Sequence, residues 1–218
     1  MQIKIDDLSL QFTQNTLLNE FSHCFMSGQF ISILGANGSG KSTFLKTLAG
    51  LHQGYKGSVL FDEKNIKQLS VKKLSTYCAY VPPAPVCHWP LTVHQILSIT
   101  GPTLDEKNPA IQKLNIGTLL CQRFQTLSSG EKARVMLAQA LLRNTPVLIL
   151  DETTSHLDET IETQVMDYLA TEAKHRIIIL ATHRPKMAMQ YCHTVLQFEN
   201  QGLHFMRHKN TKIRELTL

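Results

Sequence analysis

The stretch GANGSGKST, residues 35–43, joins spaced glycines to a lysine and two adjacent hydroxyls. It fits the pattern GxxxxGK[ST] at every fixed position: Gly35, Gly40, Lys41 and Ser42. A chance match in a chain of average composition is on the order of 1%. The glycines at 35, 38 and 40 let the backbone curl until successive N–H groups point inward as an anion nest. The helix expected just after it adds its N-terminal dipole. Lys41 supplies a mobile positive charge suited to β- and γ-phosphates, and the Ser42 hydroxyl is a ligand for Mg²⁺. Asn37, Ser39 and Thr43 belong to the same cradle.

A second group is the acidic pair Asp151-Glu152, which ends the apolar run VLIL. An acid at the C-terminal end of a buried strand faces the crevice where α/β proteins bind ligands. Asp151 there would hold Mg²⁺, directly or through water, and Glu152 is placed to act as general base toward water. A third stretch is LSSGE, with Ser128, Ser129, Gly130 and Glu131 just before a helical pattern. Taken alone it reads in two ways: a plain helix cap by Ser128 or Ser129, or a helix N-terminus that binds an anion.

These groups need a scaffold that holds them together. The pieces IKI, LSLQF, FSHCF and FISIL read as strands separated by turns, followed by the glycine-rich loop and a helix over FLKTLAGL. GSVLF is strand-like, TVHQILSI is helical, and a helix is expected over 109–121. Val135, Ala138, Leu141 and Leu142 recur with a helical period over 131–143. PVLILDE and RIIILA read as buried strands around a helix at 158–172, and HTVLQF with LHFMR reads as a closing hairpin. The expected fold class is therefore α/β: a mainly parallel sheet, an N-terminal antiparallel β subdomain and an inserted α-helical subdomain. One domain over 1–218 is expected, with 1–83 and 144–218 forming the core plus the β subdomain, and 84–143 the helical part.

Composition narrows the class. The chain has 218 residues, 43% of them hydrophobic and 18% charged, which suits a globular domain with a full core. No apolar run approaches the ~20 residues of a membrane helix, and the N-terminus shows no apolar signal segment. The cysteines (24, 78, 87, 121 and 192) are odd in number with no CxxC pair, so free, mostly buried thiols in a reducing compartment are expected. The net charge of +5 is scattered apart from the basic tail 206–214. Nucleic acid is not the expected partner; a polyphosphate or an anionic membrane surface accounts for the charge equally well.

GANGSGKST, LSSGE, LILDE, SHLD and ATH come in the order and spacing of an ABC-type ATPase domain, and the chain resembles that family over residues 2–200. The resemblance implies a P-loop NTPase core, ATP and Mg²⁺ as ligands, and ATP hydrolysis. It implies that two domains pair head to tail, so that Ser128, Ser129, Gly130 and Glu131 cap ATP held by a second subunit, a homodimer in the simplest case. His183 matches the switch histidine that contacts the γ-phosphate, Asp158 the aspartate at the subunit seam, and Phe12 the aromatic that stacks on adenine. For Phe12, packing in the core is the alternative reading.

Two positions depart from the family pattern. Thr153 stands where proline usually follows DE, and Pro83 stands where a glutamine usually follows the strand end YVP. Proline has neither an amide side chain nor a backbone N–H, which puts the hydrolysis rate in question. The segment 66–102 looks like ATPase subunits of importers for iron–siderophore, haem or cobalamin-type chelates. That likeness implies separate permease subunits, contacted by the stretch that begins at Pro83 and ends at Leu97, and a peripheral place on the cytoplasmic face of the membrane. A soluble ABC ATPase or a weakly hydrolytic ATP-dependent switch without transport is the alternative, and export or another small solute the alternative cargo.

Overall fold

The computed structural model describes residues 1–12, 15–99 and 104–206, with the Phe12 side chain excepted. Most of the basic tail lies outside the described residues. Strand β1 (Gln2–Phe12) pairs antiparallel with β2 (Asn15–Met26). Its buried residues are Ile3, Ile5, Leu8 and Leu10, so the alternation changes parity midway. A bulge absorbs the change: the register shifts between Ile5 and Leu8, and Asp7 takes a φ of +47°. The neighbouring strand must make room. A Cβ at Gly57 would lie 2.4 Å from the carbonyl oxygens of both Asp6 and Asp7, so only glycine fits. Gly57 belongs to β4 (Tyr55–Phe61), which with the short β5 (Lys64–Asn65) completes a four-stranded sheet ordered β2-β1-β4-β5.

The second sheet carries the site. Its strands are β3 (Phe30–Leu34), β6 (Cys78–Val81), β7 (Val147–Asp151), β8 (Ile177–Ala181), β9 (Thr194–Glu199) and β10 (Gly202–Phe205), in the order β10-β9-β3-β8-β7-β6. All pairs are parallel except the closing hairpin of β9 and β10. Covered on both faces, parallel strands read as unbroken apolar runs rather than alternating ones, and β3, β7 and β8 are buried at every residue. Successive side chains point to opposite faces. Ile31, Ile33, Ile149 and Ile179 join helix α1 (Lys41–Leu48) and the antiparallel sheet in one cluster. Phe30, Leu148, Leu150 and Ile178 join α5 (Ser129–Leu142), α6 (Glu159–Glu172) and α7 (Pro185–Tyr191) in the other.

Between β6 and β7 the chain forms α3 (Val93–Ser98), α4 (Pro109–Lys113), two 3-10 turns and α5. The helix expected over 109–121 stops at Lys113. Asn115 adopts a φ of +51°, which ends it, and a 3-10 turn over Gly117–Leu119 follows. A helix that the sequence pattern does not announce, α2 (Val71–Tyr77), precedes β6; it is short and buries only Leu74. Of the cysteines only Cys78 and Cys192 are buried, while Cys24 and Cys87 are half-buried and Cys121 is exposed, so the expectation of mostly buried thiols does not hold. Each of these five is a free thiol.

Candidate nucleotide-binding site

The strand order determines what meets at the carboxyl edge of the parallel sheet. The glycine loop follows β3, Glu152 follows β7, and β8 lies between those two strands. The loop after β8, which carries His183, therefore emerges between them. Parallel registration puts Asp151 beside Ala181, and the Glu152 N–H donates to the Ala181 carbonyl at 3.1 Å.

The loop itself is shaped by packing. Gly40, with a φ of +113°, lies against the Phe198 ring and Leu17; a Cβ there would come within 3.0 Å of the ring. The Lys41 side chain folds back under the loop, only 4% exposed, and its ammonium donates to the carbonyls of Gly35 at 2.9 Å and Ala36 at 3.0 Å. The same ammonium lies 3.2 Å from Oε1 of Glu152. Glu152 has a φ of +52°, a left-handed conformation uncommon for a residue with a side chain and concentrated at functional sites.

Asp151 is fully buried, and both of its carboxylate oxygens are engaged. Ser42 Oγ donates to Oδ1 at 3.0 Å and the Tyr80 hydroxyl donates to Oδ2 at 2.8 Å. Burial, and then the adjacent Asp151 charge, push the Tyr80 phenol well above its ordinary pKa, so it remains a donor across the physiological range. A cavity of about 400 Å³ opens above this cluster, lined by Leu17, Asn37, Gly38, Gly40, Lys41, Ser42, Thr43 and Glu152.

These residues fit a polyphosphate and a hard divalent cation. Ser42 Oγ and Asp151 Oδ1 lie together, and both are the oxygen donors that Mg²⁺ takes. Mg²⁺ needs few protein ligands because it keeps waters and phosphate oxygens. Ser39 Oγ, buried in the loop, has no hydrogen-bond partner among the described residues. No cluster of three or more acidic, histidine or cysteine ligands occurs among the described residues.

LSSGE, Asp158 and His183 do not line this cavity. Ser128 caps α5 in a reciprocal box: its hydroxyl accepts from the Glu131 N–H, while Glu131 Oε2 accepts from the Ser128 N–H at 2.8 Å and from its hydroxyl at 2.7 Å. The Ser128 hydroxyl and N–H hold the Glu131 carboxyl below the usual range. Ser129 opens the helix, and a Cβ at Gly130 would lie 2.9 Å from the His156 carbonyl, so Gly130 seats the helix against the loop after β7. Asp158 caps α6 by accepting from the Ile161 N–H at 2.9 Å. His183 is exposed on its loop. The Phe12 side chain lies outside the described residues.

Sequence reasoning missed three contributors. Leu17 lines the cavity beside the loop. Tyr80 is seen only once β6 and β7 are paired. Glu162, buried in α6, pairs with Arg184, the residue next to His183. An acid inside the helical stretch and a base after ATH carry no local signal that they meet. Thr153 is also buried, and its hydroxyl has no partner among the described residues.

A P-loop on a parallel sheet, with an acidic pair two strands across, defines a nucleotide-hydrolysing P-loop protein. Residues 18–155 match the ABC transporter family, and the chain belongs to it. Its ATP-binding members hydrolyse ATP in transport. The chain is 31% identical over 201 residues to an uncharacterized ABC transporter ATP-binding protein of Haemophilus influenzae, covering 86% of this chain and 76% of that one. It is 27% identical to the probable siderophore transport system ATP-binding protein YusV of Bacillus subtilis, covering 91% of this chain and 78% of that protein. Of two further curated relatives the chain spans only 47% and 34%. The fold also matches a bacterial Atm1-family ABC exporter solved with ATP bound, at a TM-score of 0.83 and 24% identity, over 93% of this chain and 38% of that one.

Proposed function

We propose that this chain is the ATPase subunit of a transporter whose membrane-spanning parts are separate chains, and that its cargo is a metal chelate of the iron–siderophore, haem or cobalamin kind. The observation that carries the catalytic part is the convergence of Lys41, Ser42, Asp151 and Glu152 within hydrogen-bonding and ion-pair distance. Lys41 and the loop N–H groups bind the phosphates. Ser42 and Asp151 hold Mg²⁺, which neutralises phosphate charge when bound. Glu152 takes the proton from the attacking water, and His183 contacts the γ-phosphate. Two copies pair head to tail, Ser128, Ser129, Gly130 and Glu131 of one closing over ATP of the other, with Asp158 at the seam and Phe12 beside the adenine.

The division into a core with β subdomain (1–83 and 144–218) and a helical subdomain (84–143) gives the membrane partner its contact. Residues 83–97 belong to that contact, with Val86 and Trp89 each 73% exposed. The complex sits on the cytoplasmic face of the membrane. The cargo reading rests on the likeness of 66–102 to chelate-importer subunits and on the description of the Bacillus relative. Purification of the tagged chain from detergent-solubilised membranes tests it. A many-helix permease should co-purify, and a chelate should stimulate ATPase activity once the complex is reconstituted.

One observation favours a second reading. Pro83 offers no side-chain amide where the family has a water-orienting glutamine. A weakly hydrolytic, ATP-dependent switch without transport would purify without a membrane partner.

A further inference from the structure

We infer that Tyr80 is a positioning residue for Mg²⁺-dependent nucleotide binding, acting by fixing the Asp151 carboxylate from the neighbouring strand. The inference rests on the nucleotide-site reading above and adds to it a residue on the strand that leads into the proline loop.

Strands β6 and β7 are parallel, with Tyr80 opposite Ile149 and Val81 opposite Leu150. Side chains two residues apart share a sheet face, so Tyr80 lies on the face of Ile149 and Asp151. From one pair back, the phenol ring reaches forward to the end of β7, and its hydroxyl donates to Oδ2 at 2.8 Å. Ser42 occupies Oδ1 at 3.0 Å. The carboxylate is thereby held between two donors, with no exposed surface and one rotamer satisfied on both oxygens. The Ser42 side faces the loop and cavity. The Tyr80 side belongs to the sheet, where the ring packs against the cluster that contains Val147, Ile149 and Ala181.

The two donors therefore differ in role. Ser42 can turn its oxygen toward a cation; the Tyr80 hydroxyl, donating to Oδ2 from the sheet side, orients the acid. A hydrogen bond to the second oxygen of a metal-binding carboxylate is the outer-shell arrangement that fixes such ligands, and its loss typically costs about 10–100-fold in metal affinity or activity. Tyr80 also stands three residues before Pro83. Any shift of the loop after β6 would thus bear on the metal-binding carboxylate through Tyr80, without the side-chain amide that Pro83 lacks.

The test is a Mg²⁺ titration of nucleotide binding by the full-length chain, with a slowly hydrolysed ATP analogue, for wild type and Tyr80→Phe. In EDTA the two should bind the analogue alike, because Lys41 and the loop are unchanged. The Mg²⁺ concentration giving half of the affinity enhancement should rise by roughly 10-fold or more in Tyr80→Phe. An unchanged Mg²⁺ midpoint overturns the inference while leaving the nucleotide site standing. A wild-type chain with no Mg²⁺ enhancement at all overturns the metal-site reading itself. Analogue binding in EDTA doubles as the folding control. If Tyr80→Phe fails it, Tyr80→Met, which also lacks the hydroxyl, is titrated in its place with the same two outcomes.

Discussion

The Lys41 ammonium and the Glu152 carboxylate lie 3.2 Å apart, one at the start of α1 and the other just past β7. The proposed phosphate-binding cation and the proposed general base thus belong to one cluster. Their substitutions should nevertheless separate. Lys41→Ala should abolish ATP binding. Glu152→Gln should keep binding and lower turnover by about 10²–10⁴-fold, the usual worth of a positioned base. Equilibrium binding and steady-state ATPase assays on the same preparations check this. Wild-type turnover in Glu152→Gln would remove Glu152 from the mechanism.

Pro83→Gln should raise the ATPase rate of the isolated chain several-fold. A group that orients water is worth ~1–3 kcal/mol, or roughly one to two decades of rate. ATP affinity should stay the same, because Lys41, Ser42 and Asp151 are untouched. A rate that is unchanged or lower would mean the site works without that amide.

Glu162 and Arg184 join α6 to the residue beside His183. Glu162 is buried and Arg184 is about one-third exposed. Arg184→Ala should leave a buried carboxylate uncompensated, and destabilise the fold by an amount at the lower end of the ~3–5 kcal/mol seen for broken buried pairs. Adding Glu162→Leu should recover most of that loss. Urea denaturation of wild type, single and double variants measures it. A double variant no more stable than Arg184→Ala would refute the pairing as the cause.

The Ser128–Glu131 box gives a pH dependence. Hydrogen bonds from the Ser128 hydroxyl and N–H hold the Glu131 pKa in the folded chain below the ordinary glutamate value. The stabilisation is therefore fully present above that value and is lost as pH falls through the lower, folded pKa. Wild type should exceed Glu131→Gln in stability by a near-constant, small amount from pH 7 to pH 5, and the gap should close as pH falls below the ordinary glutamate range. Glu131 is only partly buried, so salt should reduce the gap. A gap that widens in acid would contradict the assignment.

The fold was legible where the sequence is locally decisive. The short apolar runs FISIL, VLIL and IIILA read as strands, and they are β3, β7 and β8, buried at every residue. The capping pattern at Ser128 and the apolar period after it marked α5 to within two residues of the expected start. The Asn115 turn was missed because a left-handed asparagine leaves no mark on apolar periodicity, and α2 because a helix burying only Leu74 has no stripe to detect. Lys41, Ser42, Asp151 and Glu152 were named from motif, but not the contacts that join them. Ser42 and Asp151 are 109 positions apart, and Tyr80 and Asp151 are 71 apart. Such contacts depend on strand order, which no local pattern encodes. Leu17 was missed because an aliphatic residue within a strand carries no motif that marks it as part of a site.

Head-to-tail pairing around ATP is the central claim, and sedimentation velocity tests it most directly. With ATP and Mg²⁺, Glu152→Gln should sediment as a dimer, and without ATP as a monomer. Adding Ser128→Arg should keep the protein monomeric while each chain still binds ATP with nearly unchanged affinity, because the serine would complete the partner's site and not its own. Dimerisation of Ser128→Arg/Glu152→Gln equal to that of Glu152→Gln, or a loss of ATP affinity as deep as that in Lys41→Ala, would contradict the account.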